Sequence, residues 1–136
     1  MMLSIVIPAH NEEYSIKKTV TELYITLKDQ KIPHEIIVVN DSSTDGTLEA
    51  LEGLSKEIKT LKYFTNIGPN GFGYAVRFGL EKFSGDCVAI MMADLSDSPK
   101  DLIVFYNKMK KDNLDCVFGS RFIKRGTTVD YPVLKK

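Results

Sequence analysis

Residues 35–58 read EIIVVNDSSTDGTLEALEGLSKEI. An apolar, β-branched run stops at a polar, turn-forming loop, and apolar residues then recur at Leu48, Leu51, Leu54 and Ile58. The first pattern belongs to a strand buried on both faces, the second to an amphipathic helix. A strand, a short loop and a helix make the first part of a βαβ unit, so the next strand is expected to run parallel.

The same alternation extends in both directions. LSIVI (3–7), LKYF (61–64), CVAIMM (87–92) and CVFG (116–119) are expected as strands beside EIIVV (35–39). Ile16, Val20, Leu23, Tyr24 and Leu27 trace one helix face, and Ala75, Val76, Leu80 and Phe83 another. A further helix, carrying Leu102, Ile103, Tyr106 and Met109, opens with a serine cap at Ser98, a proline at its first position and Asp101 in its first turn. The order βαβαβαβαβ, with right-handed crossovers, predicts an α/β fold: a mostly parallel sheet with helices on both faces, one domain over 1–136.

The 136 residues, 43% hydrophobic, suffice for one domain with an ordinary core. Lys plus Arg number 18 and Asp plus Glu also 18, which argues against nucleic acid as a partner. Cys87 and Cys116 are distant and are expected as buried free thiols, which suits a reducing, cytoplasmic compartment. No stretch approaches the roughly 20 apolar residues of a membrane span. Met1–Ile7 meets Pro8 without a basic region or long apolar segment, so no secretory leader is expected.

Ligands of open α/β sheets bind beyond the carboxyl ends of the strands. Five polar loops are expected on that rim: PAHNEE (8–13), NDSSTDGT (40–47), NIGPNGFG (66–73), ADLSDSP (93–99) and SRFIKR (120–125). PAHNEE has no glycine, GFGYAV (71–76) carries Val76 in place of a third glycine, and no G-x-x-x-x-G-K-[ST] loop occurs, which disfavours classical dinucleotide and P-loop chemistry. Asp41 and Asp45 on one loop, with Asp94 and Asp97 on another, suit a nucleotide held through base or ribose. A hard cation would then bridge carboxylate and diphosphate. Structural alternatives stand beside these readings. Thr44 or Asp45 would cap a helix, Asp97 would serve the positive end of the fourth helix, His10 is expected solvated, and His34 is expected to be structural.

VIPAHNEE (6–13), VVNDSSTDGT (38–47), NIGPNGFGYAVRFGL (66–80), MMADLSDSP (91–99) and FGSRF (118–122) together resemble the inverting family 2 glycosyltransferases, with their Rossmann-like GT-A fold. Within that family the chain is most similar to the polyprenyl-phosphate (dolichol-phosphate) glycosyltransferase branch. The resemblance implies that Pro8, Ala9 and Glu12 border the nucleoside and that Asp41 hydrogen-bonds the base. It implies a metal-binding role for Asp94, with Arg77 and the Gly71–Gly73 turn shaping the pocket of a UDP- or GDP-sugar. Arg121 matches an arginine associated with phosphate, so Asp94 and Arg121 are the expected catalytic pair. A solvated Arg77 and a surface ion-paired Arg121 are the structural alternatives.

Two positions depart from the family pattern. Met92 stands where the first acid of D-x-D would fall, so Mg²⁺ or Mn²⁺ must rely on Asp94 with Ser96 or Asp97, and Asn40 replaces an acid in the second loop. Family domains usually continue well beyond residue 136 into an acceptor half, and membrane helices follow in many lipid-phosphate members. The chain therefore resembles a donor-binding half. A polyprenyl phosphate is the implied acceptor and the cytoplasmic face of a membrane the implied location of the whole protein; a homo-oligomer stays open. A phosphate acceptor, with a second pKa of about 6, needs no general base. Competing readings are a non-catalytic nucleotide-sugar-binding domain and, more remotely, a nucleotidyltransferase.

Overall fold

A computed structural model describes residues 1–120. The elements are β1 (Leu3–Ala9), α1 (Ile16–Asp29), β2 (His34–Asn40), α2 (Thr47–Glu57), β3 (Leu61–Thr65), α3 (Phe72–Leu80), β4 (Cys87–Ile90) and α4 (Pro99–Asp112). Two compact units divide the chain at Leu102 and Ile103. The first carries the sheet, α1 to α3 and the first turn of α4.

All four strands are parallel, in the order β3-β2-β1-β4. The chain steps outward from β1 to β2 to β3 and then crosses back to β4. With right-handed crossovers, that reversal puts α1 and α2 on one face and α3 on the other. Val6, Ile37, Val39 and Ala75 form a core beneath α3, bordered by Phe64, Phe78 and Leu80. Alternation along the strands directs Ile5, Ile7, Ile36 and Val38, all fully buried, to the opposite face. Gly79 lets α3 lie close to the sheet, since a Cβ there would collide with Val6 and Val39.

Helix ends follow local chemistry. α1 closes with Lys31 at φ 56, the Lys31 N–H bonded to Lys28 O at 3.0 Å and the Ile32 N–H to Leu27 O at 3.0 Å, the paired bonds of a Schellman motif. The Ser98 hydroxyl caps α4 by accepting the Lys100 N–H at 3.2 Å, as its sequence predicts.

Three expectations need correction. Residues 116–119 form no strand among the described residues, because β propensity becomes a strand only where a ladder partner completes it. Cys116 is exposed and Cys87 half-buried, though both thiols are free. β4 ends at Ile90, and its residues are half-buried or exposed because it is the edge of the described sheet. Met92 thus lies outside the strand and is exposed, whereas Met91 is buried. In the second unit, the rest of α4 ends with Asn113 at φ 51 and the Leu114 N–H on Met109 O at 3.0 Å.

Candidate functional site

The strand reversal falls at β1, whose neighbours β2 and β4 are reached by crossovers on opposite faces, so a crevice is expected at the carboxyl ends of β1 and β4. Pro8 helps to open it. Val6 O bonds the Met91 N–H on the β4 side and Ala9 O bonds the Asp41 N–H on the β2 side. By alternation, the N–H that Pro8 lacks would have faced β4, beyond the last paired residue, Ile90.

Hydrogen bonds stitch the first two loops together. The Asn11 N–H donates to Ser43 Oγ at 3.0 Å, and Asn11 Oδ1 accepts the Thr44 N–H at 2.8 Å. The Glu12 N–H donates to Thr47 Oγ1 at 2.9 Å, and Glu13 Oε2 accepts the Gly46 N–H at 2.9 Å. Asp45 accepts the Thr47 N–H at 3.0 Å from the position before the N-cap, which is Gly46 and not Thr44 or Asp45 as expected. Burial pushes the Asp45 carboxyl up, but the Thr47 hydroxyl, the Thr47 N–H and the Glu13 N–H outweigh it and hold the group below its ordinary value. Glu12 accepts the Ser15 hydroxyl at 2.7 Å at the start of α1.

Asp41 is the node between the second and third loops. It is 5% exposed; Oδ1 accepts Asn66 Nδ2–H at 3.0 Å and Oδ2 accepts the Gly71 N–H at 2.8 Å. Gly71 adopts φ 131, a conformation that requires glycine, and α3 starts immediately after it. An anionic carboxylate there also meets the positive end of α3. The Asp41 carbonyl accepts from Nδ1 of the exposed His10 at 2.7 Å. His10 is therefore both exposed and tethered. His34 is structural, engaging Ile32 O and Thr60 Oγ1 at 2.9 Å each.

On the fourth loop, Asp94 is exposed and its Oδ1 accepts the Ser96 N–H at 3.0 Å. The Ser96 hydroxyl and N–H hold its carboxyl below the ordinary value, against a smaller opposing effect of burial. Asp97 accepts the Met92 N–H at 2.8 Å, so it closes its own loop, whereas Ser98 caps α4. Leu95, between the two, has φ 64. Gly73 faces open space, and Arg77 is exposed, with no ion pair among the described residues. Arg121 lies outside the described residues.

Among the described residues, no group of three His, Cys, Asp or Glu side chains could hold a metal unaided. The donor set fits a cation shared with a ligand: one ionised, exposed carboxylate is the usual protein share when phosphates and water complete a Mg²⁺ shell. Asn66 and Glu13 lie in the expected rim loops, though the sequence assigns them no role, and Thr19, which reaches the fourth loop from α1, is not among the expected site residues. Thr19 had a signal in the sequence, a polar residue between Ile16 and Val20 on an otherwise apolar face.

The chain is similar to known proteins in sequence and in fold. A dolichol-phosphate mannosyltransferase of Pyrococcus furiosus is 30% identical over 136 residues, covering 100% of this chain and 38% of the relative. An uncharacterized glycosyltransferase of Synechocystis is 33% identical over 129 residues, 93% of this chain and 39% of its own. The chain thus spans about two fifths of the length of these relatives. Among solved structures, the mannosyltransferase PcManGT of Pyrobaculum calidifontis, in complex with GDP-Man and Mn²⁺, shares the fold with a TM-score of 0.67 at 24% identity, over 79% of this chain and 32% of that one. TarS of S. aureus in complex with UDP-GlcNAc aligns with a TM-score of 0.64 at 26% identity, over 83% of this chain and 32% of that one. The model of glycosyl transferase family 2 matches residues 4–136, and the chain belongs to that family.

Proposed function

We propose that this chain binds the nucleotide-diphosphate sugar of a family 2 glycosyltransferase that transfers the sugar, with inversion, to a polyprenyl phosphate. The observation that carries the reading is the rim itself. Three loops are stitched around Asp41, and Asp94 stands ionised on the loop after β4, at the crevice where the strand order reverses. The names of the relatives support the choice of donor and acceptor class.

In this reading Pro8, Ala9 and Glu12 border the nucleoside, and Asp41 offers its remaining lone pairs to a base N–H. Gly71, Gly73 and Arg77 line the donor pocket. Asp94, with Ser96 and Asp97 shaping its loop, holds the cation side of the diphosphate. A bound Mg²⁺ or Mn²⁺ would supply Lewis-acid stabilisation of charge on the leaving diphosphate. The acceptor oxygen forms the new bond to the anomeric carbon as the bond to the diphosphate oxygen breaks. A phosphate acceptor carries its own anionic oxygen at neutral pH, so no side chain need remove a proton. Arg121 would meet that phosphate, and the whole protein would work at the cytoplasmic face of a membrane. Among the described residues no helix is long and apolar enough to cross one.

Met92, where a first acid of the metal motif is expected, favours a second reading: a nucleotide-sugar-binding domain without catalysis. Thermal unfolding tests the binding claim. UDP-glucose or GDP-mannose with Mn²⁺ should raise the melting temperature, and Asp94→Asn should remove the metal-dependent part. No shift with any nucleotide sugar would sink the donor-site reading. Sugar transfer to polyprenyl phosphate by the full-length gene product would reject the non-catalytic one.

A further inference from the structure

Thr19 is a polar side chain on the face that α1 buries, and it is 2% exposed. Its hydroxyl donates to the carbonyl of Ala93 at 2.6 Å, across 74 positions of sequence. A threonine hydroxyl inside a helix commonly turns back to the carbonyl four residues earlier. Thr26 on the same helix does so, donating to Glu22 O at 2.8 Å. Thr19 instead reaches out of its helix to the peptide directly before Asp94. Ala93 is also 2% exposed, so a carbonyl there without a donor would be a buried, unpaired acceptor.

The loop after β4 is fixed at few points. The Met91 N–H continues the ladder onto Val6 O at 3.0 Å, and the Met92 N–H is held by Asp97 at 2.8 Å. Directly after them the Ala93 carbonyl rests on Thr19. Leu95 then takes φ 64, a conformation that a branched side chain keeps only when its surroundings over-determine it. Because the peptide unit is planar, fixing the Ala93 carbonyl fixes the plane that contains the Asp94 N–H and Cα. That plane places the Asp94 Cα, and the Ser96 N–H on Asp94 Oδ1 at 3.0 Å then holds the carboxylate that projects from it.

We propose that Thr19 is a positioning residue for Asp94: its buried hydroxyl holds the Ala93–Asp94 peptide and so sets where the carboxylate stands on the rim. The consequence for cation and diphosphate rests on the donor-site reading above; the anchoring rests on geometry alone. Thr19 touches no substrate in this role.

Thr19→Val keeps the side-chain shape and removes the hydroxyl, whereas Thr19→Ser keeps the hydroxyl and removes the methyl. Hydrogen exchange on the unliganded chain is the primary readout. Thr19→Val should speed exchange of the Met92 and Ser96 amides by about tenfold or more, with the β1 and β2 amides unchanged, and Thr19→Ser should stay within about threefold of the parent. Thr19→Ala, which also removes the hydroxyl and adds no bulk, gives the same readout should the valine variant fold poorly. The second readout is a Mn²⁺ titration in the presence of UDP-glucose and, separately, GDP-mannose. Thr19→Val should weaken the metal-dependent stabilisation about tenfold and leave the metal-free nucleotide response intact. Unchanged exchange at Met92 and Ser96 in the valine and alanine variants overturns the proposal. If exchange responds as expected while even the parent ignores Mn²⁺, the anchor is upheld and the donor-site reading is what fails.

Discussion

The carboxylate of Asp41, at the end of β2, accepts the backbone N–H of Gly71 at 2.8 Å, thirty residues away at the start of α3. Its other oxygen accepts from Asn66, so one buried acid ties two loops and a helix end. Asp41→Ala should therefore cost about 2–4 kcal/mol of unfolding free energy, since two donors lose a charged acceptor in a buried setting. Asp41→Asn should cost about 1–3 kcal/mol, because its amide can serve Gly71 but turns a donor toward Asn66. Urea denaturation of both variants measures this. A midpoint unchanged in the alanine variant would show that the node contributes nothing.

Glu35 is the second buried acid, at the opposite end of the sheet. It accepts the Ser4 hydroxyl at 2.6 Å, Lys62 Nζ at 2.7 Å and the Ser84 N–H at 2.6 Å, which pins the segment that leads into β4. Burial pushes its carboxyl up, but Lys62, Ser4 and Ser84 outweigh burial and lower it from 4.5 to about 2. A depressed carboxylate stabilises the fold above its unfolded value and loses that contribution as pH falls toward the folded one. The loss should run from about pH 4.5 down to about 2 and amount to roughly 3 kcal/mol. Glu35→Gln should be less stable than the parent at pH 7, and the gap should narrow across that window. A constant gap from pH 7 to pH 2.5 would contradict the assignment.

Lys31 closes α1 at φ 56, where a side chain gains nothing from the left-handed backbone and glycine avoids its steric cost. Lys31 is exposed, so Lys31→Gly removes little else. The variant should be about 0.5–1 kcal/mol more stable by thermal or urea unfolding. Destabilisation would mean that the lysine side chain makes a contribution larger than its backbone strain.

Asp94 should be ionised to lower pH than an ordinary aspartate, because the Ser96 hydroxyl and N–H stabilise its anion. Mn²⁺-dependent stabilisation by a nucleotide sugar should accordingly be level from pH 7 to pH 5 and vanish on addition of EDTA. Ser96→Ala removes the hydroxyl, the larger of the two effects, and should shift the acid limb of that response upward. An acid limb that stays in place in Ser96→Ala would remove Ser96 from the account.

The strand–helix alternation and the motifs that follow β1 to β4 are local patterns, which is why the parallel α/β architecture, the family and those four loops could be read directly from the residues. The fifth expected loop, SRFIKR (120–125), lies outside the described residues but for Ser120. The apolar runs of β1 and β2 admit little but a doubly covered strand, and Ser98–Pro99 states its helix start locally. Local pattern stops short where a partner decides the outcome. CVFG has strand composition but no ladder in the described sheet, and Cys116 at its head is exposed in consequence. The residues of MMADLSDSP favour Asp94 over Asp97 as a ligand and offer Asp97 to the start of the fourth helix, yet its carboxylate closes onto the Met92 amide while that of Asp94 stands exposed beside Ser96. Asp41 reads as a free ligand in NDSSTDGT; folding surrounds it with Asn66 and Gly71. Thr19 and Glu35 acquire their roles only across 74 and 49 positions, at Ala93 and Ser84. Side-chain type and spacing determine which backbone forms and where its polar loops gather. Which of those polar groups remains available to a ligand depends on donors and acceptors brought from distant parts of the chain, and only the tertiary structure supplies them.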